Sequence, residues 1–318
     1  MTARSRLGWI PALAALLFAS AAGAYDQPAV NLGFTSFLDG IPPAGPGWYF
    51  AQYVQYYAAD KLPDLPLPPE LSSAKPELEA WISLSQLIYQ SGKVLPTGAN
   101  LGLDLILPAA AFDLDDAFAG MTALDGLGDL LVGPYLQWAP IMGANGPVFV
   151  HRIELQTILP TGDYDNTRNV NPGNKAVSLN PYWAATWFIT PKWTLSGRFH
   201  YLWNAENKDP FVSPDPNAPP VSDTQAGQAV HANFATEYEV VAKHLRVGLN
   251  GYAFRQISDS KANGEGIDGK KEQVVAVGPG ALWSFNQDNH LFANVYFEMD
   301  AQSRPEGERV NVRYVHHF

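Results

Sequence analysis

The chain has 318 residues, no cysteine, and 31 acidic against 20 basic side chains, for a formal net charge of −11. The missing thiols rule out a disulfide framework and any thiolate metal site, and the acidic balance argues against nucleic acid or an anionic headgroup surface as partner. No heptad, charge block, fixed-period repeat or Gly/Ser linker divides the sequence, which therefore reads as one continuous domain behind an export signal.

Arg4 and Arg6 precede an apolar stretch over 7–18, and Ala22, Gly23 and Ala24 form an A-x-A cleavage site before Tyr25. This is the layout of a secretory signal peptide over 1–24; its apolar core is short for a spanning helix and lacks a charged stop-transfer flank. The next segment, 25–46, carries Val30, Leu32, Phe34, Phe37, Leu38 and Ile41, then Pro42, Pro43, Gly45 and Pro46. It is too apolar to float comfortably in the periplasm. Two readings stand: a plug with Leu32, Phe34, Phe37 and Leu38 as the gate, or a weakly ordered lead peptide.

From residue 47 onward the sequence alternates in twelve segments, at 47–59, 80–91, 99–108, 127–139, 147–159, 176–190, 193–204, 225–241, 244–257, 273–286, 290–300 and 308–318. Most have about the length that a tilted strand needs to cross a bilayer. The connections sort strictly by length. They are long at 60–79, 109–126, 159–175, 205–224, 258–272 and 301–307, and short at 92–98, 140–146, 190–192, 242–243 and 287–289. Short turns on one side and long polar loops on the other predict an all-β fold, a transmembrane antiparallel β-barrel over 47–318. An even strand count then places both termini in the periplasm. The last strand ends on Phe318, which resembles the signal read by the barrel-assembly machinery of Gram-negative bacteria, although His316 is more polar than that pattern usually allows.

Alternation alone does not say which face meets lipid, but the distribution of charge does. Leu101, Leu103, Leu105 and Leu107 oppose Asp104, and Ile153 and Leu155 oppose Arg152, Glu154 and Gln156. Trp193, Leu195, Phe199, Tyr201 and Trp203 oppose Arg198 and His200, and Leu291, Val295 and Phe297 oppose Asn294 and Glu298. Charges on a lipid face are costly, so Asp104, Arg152, Glu154, Arg198, His200, His231, Glu237 and Glu298 are expected to line a wet lumen. Trp193 and Trp203, at the two ends of one strand, suit aromatic girdles. No segment after the signal is apolar for long enough to form a bundle of membrane helices.

Several runs carry a family resemblance: GLGD at 126–129, GPYLQW at 133–138, LPTGDYD at 159–165, NPGN at 171–174, His200 and Tyr201 with Asn204, Gly251 and Tyr252 with Gln256 and Ile257, GPG at 278–280 and RPEG at 304–307. Their order and spacing resemble the family named for a putative MetA pathway of phenol degradation. The resemblance implies an outer-membrane barrel associated with catabolism of aromatic or other hydrophobic compounds. It implies no reaction.

Residue by residue, most of these motifs read as turn chemistry, with Gly free to take positive φ and Asn or Asp bonding the local backbone. A cation site around Asp163 and Asp165 is the alternative, with no fixed ligand count. His200 and His231 read either as gating groups or as lumen histidines held by carboxylates. No H-E-x-x-H, G-x-S-x-G, Walker or dinucleotide pattern occurs, and no metal or cofactor is implied. Ser196 and His200 lie four apart on one strand face, about 13 Å between Cα atoms, so a barrel hydrolase would need its nucleophile and base on different strands. The leading expectation is an outer-membrane channel or transporter, not an enzyme, that takes up small hydrophobic or aromatic solutes. The rival is a general diffusion porin, and a structural or adhesive barrel would put its information in outer loops such as the Pro-rich 209–220.

Overall fold

The computed structural model describes residues 27–42, 45–61, 76–116, 121–214 and 216–318. The signal peptide over 1–24 and the cleavage point before Tyr25 lie outside the described residues.

Twelve wall strands follow one another in chain order: β1 Gly47–Lys61, β2 Pro76–Val94, β3 Ala99–Asp116, β4 Gly126–Leu127 continued by Leu130–Trp138, β5 Gly146–Glu154 continued by Thr157–Leu159, β6 Ser178–Leu179 continued by Tyr182–Phe188, β7 Trp193–Asn204, β8 Ala229–Val241, β9 Leu245–Gln256, β10 Gln273–Ser284, β11 Asn289–Gln302 and β12 Glu306–His317. Each pairs antiparallel with the next, and β12 returns to β1 with Val312 opposite Val54, which closes the barrel. Closure removes every sheet edge, so the wall satisfies its backbone groups internally, the condition for lying in hydrocarbon.

The period-2 side-chain alternation sorts the two faces. Along β12, Arg309, Asn311, Arg313 and Val315 are buried while Val310, Val312 and Tyr314 are exposed. Leu101, Leu103, Ile153, Leu195, Phe199 and Phe297 are likewise exposed, an apolar belt with no reason to face water. At the short-turn end the belt is rimmed by exposed Trp48, Tyr89, Trp193, Tyr238, Trp283 and Phe285. Trp193 and Trp203 stand ten residues apart on β7, about 33 Å along the strand and about 25 Å across a membrane after tilt, the height of a barrel's apolar band.

The structure departs from the sequence expectation in three places. β2 and β3 run to 19 and 18 residues, well past what a bilayer needs, and stay paired from Gln90 opposite Gly102 to Pro76 opposite Asp116. The expected loop over 109–126 is therefore strand through Asp116, because its Ala-rich start gave little alternation to read. β4, β5 and β6 are each interrupted on the way to the long-loop end. There Gly162 and Gly173 pass against each other so closely that a Cβ on Gly162 would lie 2.6 Å from the Gly128 backbone and 2.9 Å from Gly173 Cα. Finally, the eighth strand begins at Ala229 and not at 225: Thr224–Gln225 instead joins Ser260–Ala262 and Glu265–Ile267 in a small sheet of the long loops.

Candidate functional site

The lumen is occupied by the chain itself. Residues 27–42 run through it from the long-loop end, where Gln27 Nε2 donates to the Gly227 carbonyl at 2.8 Å, to the short-turn end, where β1 begins at Gly47. Leu32, Phe34 and Phe37 are buried and Leu38 is half-buried. Leu32 packs among Leu202, Tyr252, Phe254 and Tyr296, while Phe34 and Phe37 join Tyr49, Tyr53, Leu282 and Phe292. Removing this apolar surface from water favours the packed arrangement.

Polar contacts to the wall set the path of the segment. Asn233 on β8 accepts from Gly33 N at 2.8 Å through Oδ1 and donates to the Asn31 carbonyl at 2.9 Å. Asn311 on β12 donates to the Gly33 carbonyl at 3.1 Å, and Gln55 on β1 to the Leu32 carbonyl at 3.3 Å. Lower down, Thr186 Oγ1 on β6 accepts from Gly40 N at 3.0 Å and Gln137 on β4 donates to the Gly40 carbonyl at 3.0 Å. The strongest tie is Asp39, which takes both Arg198 Nε at 2.8 Å and Arg198 Nη2 at 2.7 Å. Two glycines let the segment lie this close. A Cβ on Gly33, which has φ +80, would meet the Tyr296 ring at 2.7 Å, and one on Gly40 would meet Thr186 N at 2.6 Å.

Asp104, Arg152, Glu154, Arg198, His200, His231, Glu237 and Glu298 are all buried on the inward rows of the wall. Asp104, Arg152, Glu154 and Arg198 interact electrostatically as one cluster, and the other four stand apart from its carboxylates. Glu154 accepts from Tyr182 Oη at 2.6 Å, and Arg198 stacks 4.1 Å over the same Tyr182 ring, so these two share one aromatic side chain. Arg152 donates to Gln137 at 3.0 Å and lies 4.4 Å over Tyr135, while Asp104 accepts from Gln86 at 2.7 Å. Toward the long-loop end Glu298 collects Tyr252 Oη at 2.6 Å, Tyr57 Oη at 2.9 Å and Arg309 Nε at 3.2 Å. Glu237 accepts from Thr194 Oγ1. The carboxylates expected around the histidines are not there. His200 stacks on His231 with centroids 4.1 Å apart, and His231 Nε2 meets Asn180 Oδ1 at 3.0 Å. Stacked rings on adjacent strands took the place of charge pairing.

The carboxylates of the cation alternative are already engaged: Asp163 accepts from Leu127 N at 2.7 Å across two connections, and Asp165 within its own turn from Thr167 N at 2.9 Å and Thr167 Oγ1 at 2.7 Å. Among the described residues no group of three or more His, Asp or Glu stands together as a metal site. Ser196 Oγ is 3.0 Å from Thr186 Oγ1, not from a histidine.

Sequence reasoning missed the anchors Asp39, Gln55, Gln137, Thr186, Asn233 and Asn311. The signal was present as Asn and Gln on inward rows, where an empty aqueous lumen and an occupied one look alike. Beside residues 37–42, toward the short-turn end, the segment leaves a cavity of about 230 Å³ bordered by Phe37, Tyr49, Tyr53, Tyr135 and Phe292 together with several arginines.

A closed twelve-stranded wall around an inserted segment can be compared with known proteins. The COG4313 outer membrane channel from Pseudomonas putida F1 superposes with a TM-score of 0.73 over 91% of this chain and 100% of that one, at 16% identity, which establishes the shared fold. The beta domain of the Bordetella autotransporter BrkA (TM-score 0.46, 13% identity, 86% of this chain and 100% of that one) and a TodX monoaromatic hydrocarbon channel deletion mutant (0.43, 10%, 87% and 91%) superpose too loosely to carry an argument. No curated protein matches the chain in sequence. The family model described as "Putative MetA-pathway of phenol degradation" matches residues 63–314, well over half of the sequence, and the chain belongs to that family.

Proposed function

We propose that the protein is a gated outer-membrane channel for small hydrophobic or aromatic solutes, with residues 25–46 as the gate inside a barrel formed by 47–318. The observation that carries this reading is the occupied lumen: Leu32, Phe34 and Phe37 fill the space that a general diffusion porin leaves to water. The contacts that hold the segment are one ion pair and a series of single hydrogen bonds, each of which can be exchanged for water or solute without disturbing the wall. Aromatic side chains bordering the remaining cavity suit a ring-bearing solute, in keeping with the pathway association in the family's name.

In this reading the short-turn end faces the periplasm and the long loops face outward, as loop asymmetry in outer-membrane barrels dictates. The start of β1 and the strand leading to Phe318 then lie on the periplasmic side, the latter available to the barrel-assembly machinery, whereas Gln27 at the long-loop end lies outward, against the expectation that both termini are periplasmic. The test is a planar-bilayer and liposome pair of measurements on purified protein. Little steady current together with entry of toluene or phenol into liposomes supports a gated path. A steady ohmic current with no discrimination between aromatic and polar solutes contradicts it in favour of a porin.

A further inference from the structure

The cavity beside residues 37–42 has a charge opposite to that of the chain. Five cationic side chains border it, Arg152, Arg198, Lys243, Arg246 and Arg313, against two carboxylates, Asp39 and Glu239, in a protein whose formal net charge is −11. Both carboxylates are already committed, Asp39 to Arg198 at 2.7 Å and Glu239 to Arg246 at 3.2 Å. Asp104 and Glu154 do not border the cavity and are held by Gln86 and Tyr182. Among the described residues neither Arg152 nor Arg313 stands in a direct ion pair, but Arg152 lies in the field of Asp104 and Glu154.

Arg313 is the better placed of the two. It is 8% exposed, its guanidinium lies 3.6 Å from the Phe292 ring centroid and 5.7 Å from that of Tyr53, and its Nε is buried with no hydrogen-bond partner. The two rings fix the plane of the guanidinium, so its fork is preorganised for a planar anion. A buried donor left open is a standing cost that an incoming acceptor relieves. A carboxylate matches that fork in two-pronged geometry where a neutral hydroxyl does not, and Phe37, Tyr49 and Tyr53 border the same cavity as a place for a ring.

We propose that this cavity is a binding site for a small aromatic carboxylate, with Arg313 taking the carboxylate and the surrounding aromatic side chains taking the ring. The proposal rests on the channel reading above and narrows its solute to an anion. An aromatic hydrocarbon would leave Arg313 without a counter-charge, an aliphatic carboxylate would leave the rings unmatched, and an aromatic amine would meet the excess positive charge.

The test is calorimetric titration of the full-length protein in detergent at neutral pH, with benzoate, benzyl alcohol and benzylamine as probes, alongside liposome entry of benzyl alcohol. Benzoate is expected to bind roughly tenfold or more tightly than benzyl alcohol, with benzylamine weakest. In Arg313→Gln the ratio of benzoate to benzyl alcohol affinity should fall to about one, and in Arg313→Lys part of it should return. Equal affinity of the wild-type protein for benzoate and benzyl alcohol overturns the proposal without need of any variant, as does an Arg313→Gln protein that keeps the full benzoate preference. If benzyl alcohol enters liposomes while benzoate shows no advantage, the anion site is wrong and the channel stands. If no aromatic probe binds or enters, both fall.

Discussion

Replacing Asp39 by Asn should loosen the lumen segment while leaving the barrel intact. The change is nearly isosteric, but it removes the charge that faces Arg198 through two contacts of 2.7 and 2.8 Å, between side chains only 4% and 10% exposed. Removing one partner of a buried ion pair costs about 3–5 kcal/mol, because the other charge is left uncompensated. Arg198 keeps its stacking on Tyr182 at 4.1 Å, and Asn retains one acceptor, so the lower end applies. About 3 kcal/mol against the docked state is roughly a 150-fold shift in the docked-to-released ratio. Single-channel recording reads this directly as more frequent and longer openings in Asp39→Asn. The heat-modifiable gel shift of the barrel should not change, since no wall hydrogen bond is touched. Arg198→Asp combined with Asp39→Arg should restore part of the closed state. Opening statistics of Asp39→Asn indistinguishable from wild type would refute the assignment of this pair as the main tie of the gate.

Gly40→Ala should act in the same direction, since its new Cβ would lie 2.6 Å from Thr186 N; current noise in planar bilayers should rise while the gel shift stays. Leu249→Arg, at a position 62% exposed on the lipid side of β9, should destabilise the barrel by about 2–4 kcal/mol if it lies near the membrane midplane, read by reversible unfolding in lipid. Single cysteines at Lys261, in the small long-loop sheet, and at Lys243, in the tight turn between β8 and β9, should label differently on intact cells with an impermeant reagent. Labelling at Lys261 alone fits the proposed orientation; labelling at Lys243 alone inverts it.

The wall was legible in the sequence because a half-buried strand writes its two faces into every second residue. Leu195 and Phe199 against Ser196 and Arg198 needed no partner to be read, and the structure places the first two outside and the others inside. Loop lengths counted the strands for the same local reason. The interruption of β4 at 128–129 was not legible, since there Gly128, Gly162 and Gly173 meet across different connections. The anchoring of the lumen segment was hidden more deeply. Its apolar character showed at Leu32, Phe34 and Phe37, but Asp39 finds Arg198 across 159 residues and Gly33 finds Asn233 across 200, and no local pattern marks either. The histidine pair failed for a similar reason: His200 and His231 face each other only through the register of β7 with β8.

The most direct test of the account is the current through the protein with and without its lumen segment. Deleting residues 26–43 while keeping the signal and its cleavage site removes Leu32, Phe34, Phe37, Leu38 and Asp39 together and leaves all twelve wall strands. The expected result is a barrel with the wild-type gel shift, a several-fold larger steady conductance and weaker discrimination in favour of aromatic solutes. A deletion protein that folds and inserts, yet carries the same current and the same aromatic flux as the full chain, would contradict it.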